Sequence, residues 1–409
     1  MLFTLAIRNI FRNKRRTIIT IGAVAFAVFL ASFMRSFQKG AWDNVIGTSV
    51  NSFYGYAQVH KQGYWEDKSL DNSVELNDQL KSLTEQIKNI EDYAPRMESF
   101  ALASMGNKTH GVAVIGVDPN KEDKLTNLAE KVIQGEYLKN GDFGALVAEG
   151  VSKKLGLEVG DSLVLISQGF RAANAAGKYP IRGIVKYGLP DINKRMVFLN
   201  LPAAQGLYAA PNRVTGLAMK IAHQDMVPKI LKDLKSTLPD AEYEVMGYQE
   251  MLPELMQARQ LDEGGSTIIL GILYALITFA IFGTILMMTK ERSYEFGVLT
   301  TIGMRRLQLF SIVWLETILV SFIGAIIGAL LATPLVYYLH VNPLDMTALG
   351  EEAVATYEKF GMEPIIPAAF EASLFLKQGF IIFIVTCILG LYPLWKIMKL
   401  HPVEAMRDV

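Results

Sequence analysis

Residues 290–308 read KERSYEFGVLTTIGMRRLQ, a mixed-charge segment that lies between two long apolar stretches. The preceding stretch, IILGILYALITFAIFGTILMMT, covers residues 268–289, and the following one, LFSIVWLETILVSFIGAIIGALL, begins at Leu309. A helix needs about 20 apolar residues to cross the hydrocarbon core of a bilayer, so both stretches are long enough to span a membrane. We call the segment between them the wedge. Its sequence predicts a short helix along one membrane surface, followed by a turn at Gly303.

Two further apolar stretches, at residues 17–34 and about 379–395, are near the lower length limit for a membrane span. The first has a basic flank, RNKRR, as a signal peptide would. Its apolar run is longer than the usual ~7–15 residues, however, and no clear A-x-A cleavage site follows it. We therefore expect a retained anchor and four transmembrane helices.

The distribution of basic residues predicts how these helices are oriented. Residues 1–16 contain five basic residues and no acidic one, whereas residues 340–374 contain one lysine and six acidic residues. The wedge and the tail from residue 396 also have more basic than acidic residues. Because basic segments remain in the cytoplasm, both termini and the wedge are expected inside, and residues 38–265 outside.

The long segment 38–265 is large enough for a hydrophobic core of its own and mixes two kinds of pattern. Residues 72–93 carry leucines at helical spacing, whereas HGVAVIGVDP at 110–119 resembles a strand that ends in a turn. The predicted fold class is therefore a membrane protein with four transmembrane α-helices and a large α+β extracytoplasmic domain inserted between spans 1 and 2. Residues 116–211 are a candidate inserted subdomain.

The predicted boundaries divide the chain into alternating membrane and aqueous segments. In chain order they are an amphipathic cytoplasmic helix (1–16), transmembrane helix 1 (17–37), the extracytoplasmic domain (38–265), transmembrane helix 2 (266–289), the cytoplasmic wedge (290–307), transmembrane helix 3 (308–339), an extracytoplasmic loop (340–374), transmembrane helix 4 (375–396) and a cytoplasmic tail (397–409).

The sequence lacks the motifs of common catalytic and metal-binding sites. Cys387 is the only cysteine and the five histidines are scattered, so no Cys/His cluster or HExxH motif is present. No P-loop is present either, since AGKYP at 176–180 lacks the first glycine and the hydroxyl residue. The net charge of zero gives no global field that would favour nucleic acid as a partner. We therefore expect no catalytic residue, metal or cofactor in this chain.

Glu316 lies inside the third apolar stretch, where a charge is costly. It either has a function within the membrane or pairs with a basic residue near the cytoplasmic end, such as Arg305 or Arg306. Pro334 is expected to kink or end the same helix. Small residues recur there at intervals of four and permit close helix packing, within the chain or across a dimer. They are Gly324, Gly328 and Ala332.

The wedge resembles the signature ER-x-x-E-x-G-x-L-x-x-x-G of the FtsX/MacB/LolC–LolE superfamily of ABC-transporter permeases. The start of the chain, AIRNIFRNKRRTIITI, and its end, YPLWKIMKLHPVEAMRDV, resemble the terminal signatures of the same family. One departure is Met406, where the family commonly has leucine. By this resemblance, the wedge residues that couple the chain to an ATPase are Glu291, Arg292, Tyr294, Glu295, Gly297, Val298, Leu299 and Gly303.

The resemblance implies a multi-pass permease of the bacterial inner (cytoplasmic) membrane with no catalytic activity of its own. Members of the family dimerise with an identical or paralogous permease and bind two copies of a cytoplasmic ABC ATPase, which holds ATP and Mg. The wedge would be the coupling helix that fits a groove of this ATPase. Closure of the ATPase would then move the extracytoplasmic domains through the continuous helices, a mechanism known as mechanotransmission.

The resemblance leaves the substrate open. A LolC/LolE-like permease would release lipoproteins, a MacB-like one would drive efflux of periplasmic substrates, and an FtsX-like one would regulate a cell-wall hydrolase. A membrane-anchored receptor without an ATPase is a further interpretation, which the motifs of the wedge and the tail disfavour. The expected extracytoplasmic partner is accordingly a periplasmic chaperone, an adaptor or a lipoprotein.

Two features bear on lipoprotein transport in particular. Residues 168–179 lie between two strand patterns and form either a hook that recruits a periplasmic chaperone or an ordinary hairpin. A lateral opening between the first two spans would admit acyl chains, unless its side chains simply face membrane lipid or pack within the protein. The candidate residues of this face are Phe26, Phe29, Phe33 and Leu273.

Overall fold

The computed structural model describes residues 2–12, 14–239, 241–349 and 365–398. The chain divides into two compact units. We call them the helical unit, which comprises Met1–Asn44, Ala258–Asp345 and Ile365–Val409, and the α+β unit, which comprises Val45–Gln257 and Met346–Pro364.

The described helices include four long ones, with shorter helices before, between and after them. In chain order the described helices are α1 (Leu2–Arg12), α2 (Lys14–Ser49), α3 (Tyr64–Asp67), α4 (Asp78–Lys81), α5 (Leu83–Gln86), α6 (Pro119–Thr126), α7 (Glu149–Leu155), α8 (Pro190–Asn193), α9 (Leu201–Leu207), α10 (Val227–Thr237), α11 (Tyr248–Met251), α12 (Pro253–Glu291), α13 (Ser293–Thr301), α14 (Arg306–Val341), α15 (Ala372–Leu389) and α16 (Tyr392–Met398). The four long ones are α2, α12, α14 and α15. A π-helical turn, Val50–Tyr54, directly follows α2.

Most strands belong to the α+β unit. The strands are β1 (Ala57–Lys61), β2 (Val74–Glu75), β3 (Ile90–Met105), β4 (Lys108–Val117), β5 (Val132–Gly135), β6 (Ala145–Ala148), β7 (Ser162–Gln168), β8 (Asn174–Val185), β9 (Met196–Asn200), β10 (Arg213–Val214), β11 (Gly216–Ile221), β12 (Tyr243–Gly247), β13 (Leu344–Asp345) and β14 (Ile365–Ile366).

Four helical stretches among the described residues are long and apolar enough to cross a membrane. They are Thr17–Tyr54, Pro253–Glu291, Arg306–Val341 and Ala372–Met398. The second contains 39 residues. At ~1.5 Å per residue it is roughly 58 Å long, well beyond the ~30 Å hydrocarbon core, so it projects out of the bilayer. Together with the α+β unit between the first two stretches, these helices confirm the predicted fold class.

The small residues of α14 allow it to pack tightly against α2. A methyl group added at Gly328 would lie 2.4 Å from the carbonyl oxygen of Ala25, and one added at Gly324 would lie 2.7 Å from Cβ of Val24. Ala332, one turn further along, is fully buried. The recurring small residues therefore serve a helix contact within this chain, since only a missing side chain permits so close an approach.

Pro334 does not end the helix in which it lies, because α14 continues to Val341. Proline removes one backbone donor from the helix, and a freed carbonyl within a membrane needs another partner or a local adjustment. Of the two expected effects, Pro334 does not end the helix, which extends past the predicted limit of the third span at residue 339, and the kink stays a prediction.

A ten-stranded sheet forms the centre of the α+β unit. Its order is β12-β1-β11-β3-β4-β9-β6-β8-β5, and β7 pairs with β3 and β8. β3 and β4 form a long antiparallel hairpin whose turn includes Gly106 at φ +57°, a conformation that favours glycine. Strands β5 to β9 lie within residues 116–211, the candidate inserted subdomain, and belong to the same hydrogen-bonded sheet as the others.

Residues 72–93 do not form the helix that their leucine spacing predicts. Leu80 and Leu83 are buried, as the spacing requires, but they lie on two separate single-turn helices, α4 and α5. The side chain of Asn77 caps α4 by accepting the N–H of Leu80 at 2.9 Å. Asn89 then adopts a left-handed conformation, with φ +72°, and directs the chain into β3. Capping and turn formation by asparagine therefore outweigh the helical periodicity here.

Candidate functional site

The wedge folds as the helix α13 followed by a tight turn. Gly303 has φ +104°, which a residue with a side chain rarely adopts. Its N–H donates to the carbonyl oxygen of Thr300 at 3.1 Å, and the N–H of Met304 donates to that of Leu299 at 3.0 Å. These bonds satisfy the last carbonyls of α13, so the chain can leave the helix and start α14.

A buried ion pair connects the wedge to α14. Nη1 of Arg292 lies 2.6 Å from Oε2 of Glu316, and both side chains are almost fully buried. Nε of Arg292 also lies 3.3 Å from Oε2 of Glu295. The structure therefore pairs the intramembrane acid with Arg292 at the start of the wedge, whereas the sequence pointed to Arg305 or Arg306 near its end.

A second, more exposed ion pair connects the wedge to α1. Nη2 of Arg12 lies 2.5 Å from Oε1 of Glu295. Burial raises the pKa of Glu295, but the hydrogen bonds from Arg12 and Arg292 outweigh this effect and leave the pKa below its usual value. The carboxylate is therefore ionised at neutral pH, and it holds two arginines from different elements in one network.

The apolar face of α13 has a buried side and an exposed side. Phe296 packs in a small core with Leu309 and Val313 of α14 and Ile397 of α16. On the other side Tyr294 is 48% exposed, and Ile302, which directly follows α13, is 78% exposed. The wedge is thus anchored to the spans by one face and presents a separate apolar ridge on the other.

The predicted coupling residues consequently differ in what they can contact. The exposed members are Glu291, Tyr294, Leu299 and Gly303; the half-buried ones are Glu295 and Val298; the buried ones are Arg292 and Gly297. Sequence reasoning did not select Phe296 or Ile302. The signal for Phe296 was available, since it follows Arg292 by four residues and so lies on the same helical face.

Comparison with known families identifies the chain. Residues 17–237, more than half of the 409-residue sequence, match the MacB-like periplasmic core domain. Residues 267–402 match the FtsX-like permease C-terminal domain. The chain belongs to the MacB/FtsX family of ABC-transporter permeases. The family resemblance drawn from the wedge and the termini is thereby confirmed.

Two relatives of this permease in other bacteria have the same name. The lipoprotein-releasing system transmembrane protein LolC of Neisseria meningitidis serogroup B is 23% identical over 76% of this chain and 73% of its own. The protein of the same name from Xylella fastidiosa (strain 9a5c) is 24% identical over 77% of each chain. Among solved structures, the periplasmic region of MacB from Actinobacillus actinomycetemcomitans is 14% identical, with a TM-score of 0.36, over 52% of this chain and 96% of that one.

The structure of this permease does not bring the predicted acyl-chain face together. Phe26 is exposed on α2. Phe29 and Phe33, in contrast, pack against a cluster around Phe375. Leu273 on α12 packs against a different cluster, which includes Ile281. The role of these four residues as an acyl-chain face therefore stays a prediction.

The segment 168–179 forms an ordinary hairpin in this permease. β7 and β8 pair directly up to Gln168 and Asn174, with a short turn between them. The guanidinium of Arg213 lies 4.7 Å from the ring centre of Phe170, and the N–H of Arg171 donates to Oδ1 of Asp71 at 2.8 Å. The turn is therefore held against neighbouring segments of the α+β unit and does not form a projecting hook.

The C-terminal signature is described only in part. The ring of Tyr392 lies 5.2 Å from that of Phe282, edge to face, and Nη1 of Arg306 donates to the carbonyl oxygen of Met398 at 2.5 Å. These contacts attach the start of the tail to the second and third spans. The remaining signature residues, Pro402 and 405–407, lie outside the described residues.

Proposed function

We propose that this permease releases lipoproteins from the bacterial inner membrane and is driven by a cytoplasmic ABC ATPase that binds the wedge. The substrate class is supported by the relatives named as lipoprotein-releasing proteins, which align over about three quarters of each chain (76% and 73% for the first). In this proposal both termini and the wedge are cytoplasmic, and ATP and Mg are bound by the partner ATPase.

The buried pair of Arg292 and Glu316 is the observation that carries the coupling mechanism. An ion pair of 2.6 Å between buried side chains resists separation, because each charge would lose a buried partner of opposite charge in an apolar environment. A displacement of α13 is therefore transmitted to α14 without being absorbed by a flexible loop. Phe296 reinforces the connection by packing against α14 and α16.

The long helices carry this displacement across the membrane. α14 contains 36 residues and contacts α2 through Gly324 and Gly328, so a movement of α14 also displaces the helix that leads into the α+β unit. The ATPase would thus act on the extracytoplasmic domain without a substrate channel through the bilayer. A second permease, identical or paralogous, would present the matching wedge to the second ATPase copy.

The tight hairpin at 168–179 limits how a periplasmic partner is recruited. A turn held by Asp71 and Arg213 offers no extended segment for a chaperone to grip. If a lipoprotein chaperone binds this permease, it does so through another surface or through the partner permease.

Affinity purification of the full-length permease from native membranes, followed by mass spectrometry, tests the proposal. Retention of an ABC ATPase together with acylated lipoproteins or a lipoprotein chaperone is the expected result. An ATPase accompanied by a periplasmic adaptor and an outer-membrane channel would instead identify an efflux permease, and a cell-wall hydrolase would identify a regulator. Absence of any ATPase, under conditions that keep other membrane complexes intact, would contradict the coupling role of the wedge.

A further inference from the structure

A cavity of about 460 Å³ with charged and apolar walls lies within the helical unit, between α2, α12 and α15. It is found at the end of the spans from which the chain continues into the α+β unit. Four basic residues line it, namely Arg35, Lys39, Arg259 and Lys377, and Phe380 and Ile381 form an apolar part of its wall.

Two of the four basic residues are neutralised by acidic neighbours. Nζ of Lys39 lies 2.7 Å from Oδ2 of Asp43 and 2.7 Å from Oε1 of Glu371. Nε of Arg259 lies 2.7 Å from Oε1 of Glu263. These pairs fix the walls of the cavity and leave little positive charge for a ligand.

The other two basic residues form no salt bridge in the described part of the chain, although Glu371 interacts electrostatically with Lys377. Arg35 donates to neutral oxygens, Oε1 of Gln38 at 3.1 Å and Oγ1 of Thr267 at 2.9 Å. Among the described residues, no acidic side chain forms a salt bridge with Arg35 or Lys377. Two positive charges therefore face the same cavity, which favours an anionic ligand.

The position of the cavity corresponds to the headgroup layer of the bilayer. Arg35 directly follows the apolar stretch 17–34, and Lys377 lies near the start of α15. Trp42, which also lines the cavity, donates from Nε1 to Oδ2 of Asp262 at 2.7 Å. Tryptophan and long basic side chains commonly occupy this layer. Basic residues are nevertheless under-represented at the extracytoplasmic end of spans, so their accumulation here calls for a specific role.

We propose that this cavity binds the headgroup of an anionic phospholipid from the leaflet on the side of the α+β unit. The phosphodiester lies between Arg35 and Lys377, and an acyl chain follows the apolar wall at Phe380 and Ile381. Phe380 also borders an apolar groove of about 320 Å³ between α14 and α15, which extends the surface available to a hydrocarbon chain. This inference rests on the orientation given in the proposed function, with the α+β unit outside, but it is independent of the transported substrate.

Quenching of Trp42 fluorescence by brominated lipid tests the proposal on the full-length protein. Trp65, Trp314 and Trp395 are replaced by phenylalanine, which leaves Trp42 as the only tryptophan. The variant is reconstituted in phosphatidylcholine vesicles with the same low fraction of either phosphatidylglycerol or phosphatidylcholine brominated near the glycerol end of its acyl chains. A basic residue at a membrane surface favours binding of an anionic lipid by about fivefold. Brominated phosphatidylglycerol should therefore quench Trp42 at least about fivefold more effectively than brominated phosphatidylcholine. Equal quenching by the two lipids would overturn the proposal.

Substitutions then test whether Arg35 and Lys377 cause the preference for phosphatidylglycerol. Arg35→Gln combined with Lys377→Gln should abolish the preference for phosphatidylglycerol, and Arg35→Lys combined with Lys377→Arg should retain it. The matched control, Lys229→Gln with Lys232→Gln, removes the same charge from the exposed face of α10 and should change nothing. An unchanged preference after the first pair of substitutions would refute the site.

A final comparison separates a lipid headgroup from a soluble phosphate. Inorganic phosphate is added to the vesicles, with sodium chloride of equal ionic strength as the reference. The proposal predicts the same quenching in both salts, because the acyl chain contributes to lipid binding. Selective relief of quenching by inorganic phosphate would show that the cavity takes a soluble anion and would overturn the assignment to phospholipid.

Discussion

Arg292 and Glu316 form a buried ion pair that bridges 24 residues of sequence, with Nη1 and Oε2 2.6 Å apart. Its contribution depends on both partners being present, because a buried charge is poorly compensated when its buried partner is removed, although Arg292 keeps its contact with the half-buried Glu295. Arg292→Leu and Glu316→Leu should each lower the free energy of unfolding by about 3–5 kcal/mol. The double substitution should recover most of this loss, since it removes both charges.

Thermal unfolding of the full-length protein in detergent measures these effects. The matched control is Lys153→Met, which removes an exposed ion pair with Glu149 on α7 and should cost less than about 1 kcal/mol. Strictly additive losses in the double variant would mean that the two side chains act independently.

The close approach of α14 to α2 predicts the effect of adding a single methyl group. In Gly328→Ala the new Cβ would lie 2.4 Å from the carbonyl oxygen of Ala25, so the helices must separate. We expect a loss of about 1–3 kcal/mol in the free energy of unfolding. Gly271→Ala on α12 is the control, because nothing lies within 4 Å of its added Cβ. Equal stability of the two variants would argue against this helix contact.

The exposed network of the wedge should respond to pH through Glu295. Hydrogen bonds from Arg12 and Arg292 overcome the effect of burial and hold the pKa of this carboxyl below its usual value of 4.5. A depressed pKa gives stability that is present above the unfolded-state pKa and is lost as the pH falls through the folded-state pKa. Glu295→Gln should therefore flatten the acid side of the stability profile of the full-length protein. An unchanged profile would place the acid sensitivity elsewhere.

The α+β unit contains a second pH-sensitive group, His60, whose ring is buried and stacked on Tyr64. Burial lowers the pKa of His60 to about 4, despite the hydrogen bond to the carbonyl oxygen of Thr215. Between pH 6.5 and 4 the unfolded state binds the proton more readily, so stability should fall as the pH falls through this window. The slope is at most about 1.4 kcal/mol per pH unit.

Denaturant unfolding followed by the fluorescence of Trp65 checks this expectation, because the ring of Trp65 lies 5.6 Å from that of His60. His60→Asn should be less stable at neutral pH but should lack the histidine-dependent slope. A slope equal to that of the unsubstituted protein would show that other groups titrate in this range.

The spans and the wedge were predictable from sequence because each depends on local composition. An apolar run such as 268–289 crosses a bilayer whatever its neighbours are, and Gly303 marks a turn through its own backbone freedom. The pairing of Glu316 was not predictable, since α13 folds back and brings Arg292 closer than the neighbouring Arg305 suggested. Proximity in sequence gave the wrong partner because the turn geometry determines which basic side chain reaches the acid.

In the α+β unit, too, local sequence patterns predicted burial but not the structure that depends on distant contacts. Leu80 and Leu83 were correctly expected in a core, because burial follows from hydrophobicity. Their secondary structure was predicted wrongly, because Asn77 provides a local hydrogen bond and Asn89 a left-handed turn, and both compete with helix formation. The order of the ten strands depends on contacts distant in sequence, and no local pattern specifies them.

The binding of an ATPase to the wedge is tested most directly at the exposed ridge of the wedge. Tyr294→Ala combined with Ile302→Ser removes apolar side chains that are 48% and 78% exposed, so the fold should be unaffected. Leu261→Ser, at a 73% exposed position on α12 beyond the other end of the span, is the matched control. The measurement is the amount of ABC ATPase that copurifies with each full-length protein. The wedge variant should retain at least about tenfold less ATPase than the control, as expected when central apolar contacts are lost. Equal retention by both variants would contradict the coupling role of the wedge.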